Sequence, residues 1–273
     1  MSSVWLNGAL VEADHAHIAI NDRGFLLADG LFETMLAESG HIQELDAHLA
    51  RLAIGAGVLR MPVPFNAGEL GRACEDVLVA NGLRTAERAS LRLTLTRGPG
   101  PRGVLPPKDT HATLLITATA MPAPPDAITA ITSKTIRRDA ASPLSAVKSL
   151  AYTGNVMARL EAEDAGVNEA MILNTDGNLA ETTSSNVYLV EDGALVTPPV
   201  SDGVLPGIMR ALVMEQARGL GIGVREETVT PERLRSAAEI FLTNSLIGIC
   251  PLTMLDGRIL AVGALTERLI EAE

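Results

Sequence analysis

Lys148 lies in Ser142-Pro-Leu-Ser-Ala-Val-Lys-Ser-Leu150, a largely apolar stretch with few groups to partner an ammonium. A lysine withdrawn from water loses its proton more readily and becomes a nucleophile able to form an imine with an aldehyde. The same residue also reads as a surface lysine that lays its stem along apolar neighbours. Further on, Leu179-Ala-Glu-Thr-Thr-Ser-Ser-Asn-Val-Tyr-Leu-Val190 brings Glu181 and a run of hydroxyls into an otherwise apolar strand. Placed inside, Glu181 must meet a cation or a donor, and a protonated pyridine nitrogen would serve; at a strand end on the surface it needs neither. Asp202-Gly-Val-Leu-Pro-Gly-Ile-Met-Arg210 is a glycine-containing turn leading into a helix. The first N–H groups of such a helix and the positive end of its dipole suit a phosphate. Arg51, on a helix face after His48, supplies a charge-assisted partner for the same anion or stands in solvent as an ordinary helix charge.

Strands and helices alternate around these groups. Val4 to Leu10 turns at Asn7-Gly8, and Phe32 to Leu36 turns at Ser39-Gly40 before Ile42 to Leu45. Leu45, Leu49, Leu52 and Ala56 mark one amphipathic helix, and Leu70, Ala73, Val77 and Leu78 mark a second before Asn81-Gly82. Ser90 to Thr96 and Ala112 to Thr119 read as strands around the Gly/Pro-rich loop Arg97 to Pro107. Met121-Pro-Ala-Pro-Pro125 is a stiff extended spacer, because proline restricts its own φ and the residue before it. It divides a domain over residues 1–120 from one over 127–273, with 121–126 as linker. Beyond it, strands are expected at Ala127 to Thr135, Glu169 to Leu173, Asn186 to Val190, Ala194 to Val196 and Ile240 to Thr243. Helices are expected at Tyr152 to Ala165, Pro206 to Arg218 and Val262 to Ala272, the last turning Leu265, Leu269 and Ile270 inward.

Composition narrows the function. The 273 residues carry 33 acidic and 22 basic side chains, a net charge of −11 that repels a nucleic-acid backbone, and the few aromatic residues offer little stacking surface. Cys74 and Cys250 make no disulfide framework and fit a reducing compartment, the cytoplasm. The N-terminus has no basic stretch followed by an apolar run, and the most apolar later stretch, Ala237 to Leu255, is broken by Glu239, Asn244 and Pro251, so neither a secretory signal nor a membrane span is expected. The five histidines lack an HExxH spacing, and no metal site is expected.

Taken in order, Asp22 to Thr34, His48-Leu-Ala-Arg-Leu52, Lys148-Ser-Leu-Ala-Tyr152, Asn155-Val-Met-Ala-Arg159, Asn168-Glu-Ala170, Glu181 with Ser184-Ser-Asn186, Leu205-Pro-Gly-Ile-Met-Arg210 and Thr243-Asn-Ser245 resemble the class IV aminotransferases. These are pyridoxal 5'-phosphate enzymes of fold type IV, among them branched-chain and D-amino acid aminotransferases and aminodeoxychorismate lyases. The resemblance implies a two-domain α/β (α+β) subunit, with a smaller N-terminal α/β domain and a larger C-terminal pseudo-barrel domain, the cofactor in the cleft between them, and a homodimer. It implies that Lys148 carries the imine link to the cofactor and moves the substrate proton. Glu181 would hold the pyridine nitrogen protonated, which makes the ring an electron sink. Arg51, the amides of Ile208 and Met209 and the Ser245 hydroxyl would hold the phosphate, with Tyr152 near the ring oxygen.

The resemblance divides over the reaction. D-amino acid aminotransferases commonly hold the substrate carboxylate with a tyrosine and an Arg-x-His; the corresponding positions here are Phe32, Arg102 and Val104. Phe32 and Arg102 are the substrate-binding candidates, Arg102 because a guanidinium holds a carboxylate bidentately; loop anchoring is its other reading. Thr96 to Gly103 and Phe241 to Pro251 look more like 4-amino-4-deoxychorismate lyases, whereas the segment after Lys148 follows the transaminase pattern, since it lacks the Asn-Arg many such lyases have there. The expected activity is amino transfer between an amino acid of D- or branched-chain type and a 2-oxo acid. Lyase cleavage to pyruvate and 4-aminobenzoate is the alternative, and a non-catalytic phosphate-ligand binding protein a remote third.

Overall fold

The computed structural model describes residues 2–272 and divides into two compact units. The first takes the chain as far as Ala123 and adds Val147–Ala151; the second is Pro124–Ala146 with Tyr152 onward.

The first unit is built on β1 (Ser3–Leu6), β2 (Ala9–Glu12), β3 (Gly30–Glu38), β4 (His41–Ile42), β5 (Arg88–Thr96) and β6 (Thr113–Ala120), with helices α1 (Arg23–Leu27), α2 (Leu45–Val58) and α3 (Ala67–Ala80). The strands form one antiparallel sheet in the order β2-β1-β6-β5-β3-β4. Alternation along β3 sends Leu31, Met35 and Ala37 into the core with α2 and α3, and along β5 does the same for Ala89, Leu91, Leu93 and Leu95. Helix α3 opens with a capping box in which Asn66 and Glu69 satisfy each other's backbone N–H. β4 covers only Ala37 and Glu38 of its neighbour. The remaining edge of β3 takes Val147–Ala151 instead: Phe32 N–H donates to Lys148 C=O at 3.0 Å and Leu150 N–H to Gly30 C=O at 3.0 Å. Residue 30 must be glycine for this approach, because a Cβ there would stand 2.5 Å from Leu95 C=O and 2.7 Å from the Leu150 side chain.

The second unit contains β7 (Ile128–Arg138), α4 (Thr153–Asp164), β8 (Glu169–Asn174), β9 (Leu179–Thr182), β10 (Asn186–Glu191), β11 (Ala194–Thr197), α5 (Ile208–Gly219), β12 (Val224–Glu226), α6 (Pro231–Ser236), β13 (Glu239–Asn244), β14 (Gly248–Leu255), β15 (Arg258–Ile259) and α7 (Ala264–Glu271). Its nine strands make a mixed sheet in the order β12-β11-β10-β13-β14-β7-β8-β9, with β15 on β14. The parallel pairs are β14 with β7, β7 with β8 and β11 with β12. Val187, Leu189 and Leu242 point into one core, while Tyr188, Val190, Phe241 and Ile249 pack with α5 and α7 on the other face. Among the described residues no helix is long and apolar enough to cross a membrane.

Three expectations are corrected. The run Thr182 to Ser185 is not the middle of a strand but the tight connection from β9 to β10, closed by Thr182 N–H donating to Ser185 C=O. Helix α5 starts at Ile208 rather than at Pro206, because Gly207 is still extended at φ −70° and ψ 142°. In α7, Leu269 is buried but Ile270 is exposed. One position further around a 100° step, Ile270 leaves the inward stripe, and the buried place goes to Thr266, whose hydroxyl donates to Glu239. Leu269→Ala is therefore expected to lower stability by about 2–5 kcal/mol and Ile270→Ala by well under half of that, measured by urea unfolding of the two variants side by side.

Candidate functional site

In the first unit the edge pairing on β3 fixes the backbone of Lys148 against Phe32. Phe32 is buried on the face of β3 opposite α2, and the Lys148 Nζ stands 4.5 Å from its ring centroid. The Arg92 guanidinium, from β5, lies 4.0 Å from the same centroid. Two cations thus share one aromatic ring, an arrangement stabilised by the ring quadrupole. Lys148 is half-buried, so it is neither a fully exposed surface lysine nor sealed from water.

The other face of β3 carries Glu33 toward α2. Arg51 holds it with both arms of its fork, Nε donating to Oε1 at 2.9 Å and Nη2 to Oε2 at 2.6 Å, while His48 Nδ1 lies 2.7 Å from Oε2. Arg51 is thus not a solvated helix charge; its position is set by a buried carboxylate. Burial pushes the Glu33 carboxyl up, but the hydrogen bonds from Arg51 and His48 and their charges outweigh it and hold the group below its ordinary value. Asp29 follows the same pattern: burial raises it, and Arg97 and Arg23 bring it lower still. Arg23 also donates to Gly103 C=O and Val104 C=O, so this residue anchors the long loop, and Arg102 stands exposed on it.

In the second unit Glu181 is buried, which overturns the surface strand-end reading. Its Oε1 is 3.1 Å from Arg138 Nη2, and its Oε2 accepts from Leu205 N–H at 2.9 Å. Arg138 is itself fixed by donating to Gly203 C=O at 3.1 Å and Ser145 C=O at 2.6 Å. Leu205 C=O accepts from the Asn186 amide at 3.0 Å, and Asn186 pairs with Thr243 in the β10–β13 ladder. Asn186 packs so closely on Gly207 that a Cβ there would come within 1.9 Å of its Oδ1. Asn244 donates to Ser185 Oγ at 2.9 Å and accepts from Leu246 N–H and Ile247 N–H at 2.9 and 3.1 Å, which shapes the turn carrying Ser245. Glu181, the start of α5 and the Ser245 turn are thereby connected through hydrogen bonds, the β10–β13 ladder and the packing of Asn186 on Gly207. Tyr152 opens α4, and Asn155 in that helix donates to Thr183 C=O at 2.8 Å. Arg138 and Arg92 were missed by sequence reasoning, since an isolated arginine near a strand carries no local signal of its partner.

This part of the second unit suits a molecule with a basic ring nitrogen at one end and a phosphate at the other. Glu181 accepts at the first. At the second, α5 has no side-chain cap, so the N–H groups of its first turn, Ile208 and Met209 among them, have no intrahelical acceptor. Thr243 Oγ1 is buried without a partner among the described residues, on the sheet face where its ladder partner Asn186 meets Gly207. Among the described residues no group of three or more His, Cys, Asp or Glu side chains is arranged for a metal ion.

The sequence model of the family described as Amino-transferase class IV matches residues 30–255. A chain of Methanocaldococcus jannaschii provisionally named a branched-chain-amino-acid aminotransferase is 37% identical, over 98% of this chain and 94% of its own length. A D-alanine aminotransferase of Bacillus licheniformis is 32% identical, over 96% and 91%. Among solved structures, a branched-chain aminotransferase of Thermoproteus uzoniensis crystallised with norvaline superposes with a TM-score of 0.93 at 30% identity, over 99% of this chain and 92% of that one. A Legionella pneumophila protein provisionally named a 4-amino-4-deoxychorismate lyase superposes at 0.87 and 29% identity, over 96% and 97%.

The Glu33 cluster predicts an acid-sensitive first unit. A carboxyl held below its ordinary value, near 4.5, contributes stability that is present above that pH and is lost as the pH falls through the lowered folded-state value. Glu33→Gln is expected to cost roughly 3–5 kcal/mol at neutral pH, because it leaves Arg51 and His48 without their counter-charge. It should also flatten the fall in thermal midpoint below pH 4.5, and an unchanged acid slope in the variant would contradict the assignment.

Proposed function

This chain belongs to the class IV aminotransferases, and we propose that it works with pyridoxal 5'-phosphate, with Lys148 as the amine that engages the cofactor aldehyde. Its activity is of the branched-chain or D-amino acid type, exchanging an amino group between an amino acid and a 2-oxo acid. The observation that carries the cofactor reading is the link, through Leu205 and Asn186, between a buried carboxylate and an uncapped helix start. Leu205 donates to Glu181, and Asn186 ties Leu205 to Gly207 at the head of α5.

When bound, the cofactor supplies an aldehyde and an electron-withdrawing ring. The Glu181 carboxylate would hold a proton on the ring nitrogen, and Arg138 and Leu205 N–H fix where that carboxylate points. The first amides of α5 at Ile208 and Met209 and the Ser245 hydroxyl would hold the phosphate and Tyr152 would meet the ring oxygen, with Arg51 assigned to the same anion by the family resemblance alone. The Lys148 amine would accept the proton from the substrate Cα and be the group that gives it back. Phe32 forms an apolar wall beside that amine. Of the arginines, Arg92 on the Phe32 ring is better placed than Arg102 on its exposed loop to take a substrate carboxylate, and both remain candidates. The strongly exposed Ile20, Phe25, Val104 and Leu105 of the first unit support a homodimer, and the two free buried cysteines suit the cytoplasm.

A second reading, 4-amino-4-deoxychorismate lyase, is favoured by the Legionella neighbour. The purified protein is expected to be yellow and to bleach with borohydride, with Lys148→Ala colourless and slower by roughly a hundredfold or more. Supplied with D-alanine or L-leucine and a 2-oxo acid, it should exchange the amino group. Pyruvate released from 4-amino-4-deoxychorismate without any 2-oxo acid would establish the lyase reading instead.

A further inference from the structure

Beside the Ser245 turn, and beyond anything the aminotransferase reading uses, the second unit holds an open basin of ≈ 190 Å³. One wall is polar, made by Arg159, Asn168, Glu169 and Ser184, and the other is apolar, made by Pro125, Ile128 and Ile247. Glu169 is buried, and its two oxygens are used unequally. Oε1 accepts from Ala170 N–H at 2.8 Å and from Thr183, whereas Oε2 takes only the Ser184 hydroxyl at 3.2 Å. Arg159 Nη1 stands 3.9 Å from Oε1, too far for a hydrogen bond. Among the described residues the Arg159 guanidinium donates no hydrogen bond at all. The Asn168 Oδ1 is taken by Thr129 N–H and hydroxyl at 2.9 Å each, so the amide NH₂ also remains available.

The basin thus presents a set of unused donors, a buried carboxylate with acceptor capacity left, and an aliphatic wall, side by side. A simple anion would answer the donors but leave its charge facing Glu169. A zwitterion answers both: its carboxylate on Arg159 and Asn168, its ammonium on Glu169 Oε2, its side chain on Ile128 and Ile247. We propose that this basin is a second binding site for an aliphatic α-amino acid, separate from the site of transamination. Ser185 lines the same basin and accepts from Asn244, which in turn shapes the turn carrying Ser245.

The test is calorimetric titration of L-leucine into the holoenzyme after borohydride treatment, which blocks turnover. One saturable site per chain is expected, weakened at least tenfold in Arg159→Gln and unaffected in Arg102→Gln. 4-Methylvalerate, which lacks the ammonium, should bind at least tenfold more weakly than L-leucine. Absence of binding, equal binding in Arg159→Gln, or 4-methylvalerate binding as well as L-leucine each overturns the proposal. Failure of borohydride to leave a reduced chromophore on Lys148 would count against the cofactor reading alone, because the basin titration is carried out on the same protein either way.

Discussion

A carboxylate carried out of water has to be met by donors, and much of the second unit is arranged around meeting Glu181. The cation comes from Arg138 at the end of β7 and the amide from Leu205, just ahead of α5. Each donor is itself constrained. Arg138 is pinned by two carbonyls, and Leu205 by Asn186, whose place on β10 follows from its ladder with β13. Breaking any of these contacts leaves charge or backbone polarity unpaired in the interior, which costs more than the contact itself contributes. The acidic group and the residues leading into α5 are consequently tied together through Leu205 and Asn186.

The first unit solves the same problem twice. Glu33 sits on the helix-facing side of β3 and is neutralised by Arg51 and His48, while Asp29 is neutralised by Arg23 and Arg97. Each arginine gains a fixed position from an acid that would otherwise be intolerable where it lies. On the opposite face, period-two alternation brings Phe32 outward to the Lys148 amine and the Arg92 guanidinium. One strand therefore supplies an orienting acid to one side and an aromatic wall to the other, and the single glycine at its start lets the Lys148 segment dock along its edge.

Two arginines of the first unit stand outside this buried framework. Arg102 projects from a loop tied down by Arg23, and Arg92 rests on Phe32.

Hydrophobic periodicity in the sequence alone determined most elements: Leu49, Leu52 and Ala56 on α2, and Leu70, Ala73, Val77 and Leu78 on α3, are buried as their spacing requires. Asn7-Gly8 and Ser39-Gly40 turn the chain where their tolerance of positive φ allows. The ordered short motifs were likewise sufficient to point to the family, because they survive as local residue patterns. Ile270 could not be placed inward or outward by period alone, since a helix stripe has edges and tertiary neighbours decide them. Local sequence also left Glu181 ambiguous between surface and interior, and it was silent on Arg138, Arg92 and the carboxylate that holds Arg51. Those pairings join residues far apart in the chain, and only the folded arrangement of strands brings a buried acid to its particular cation.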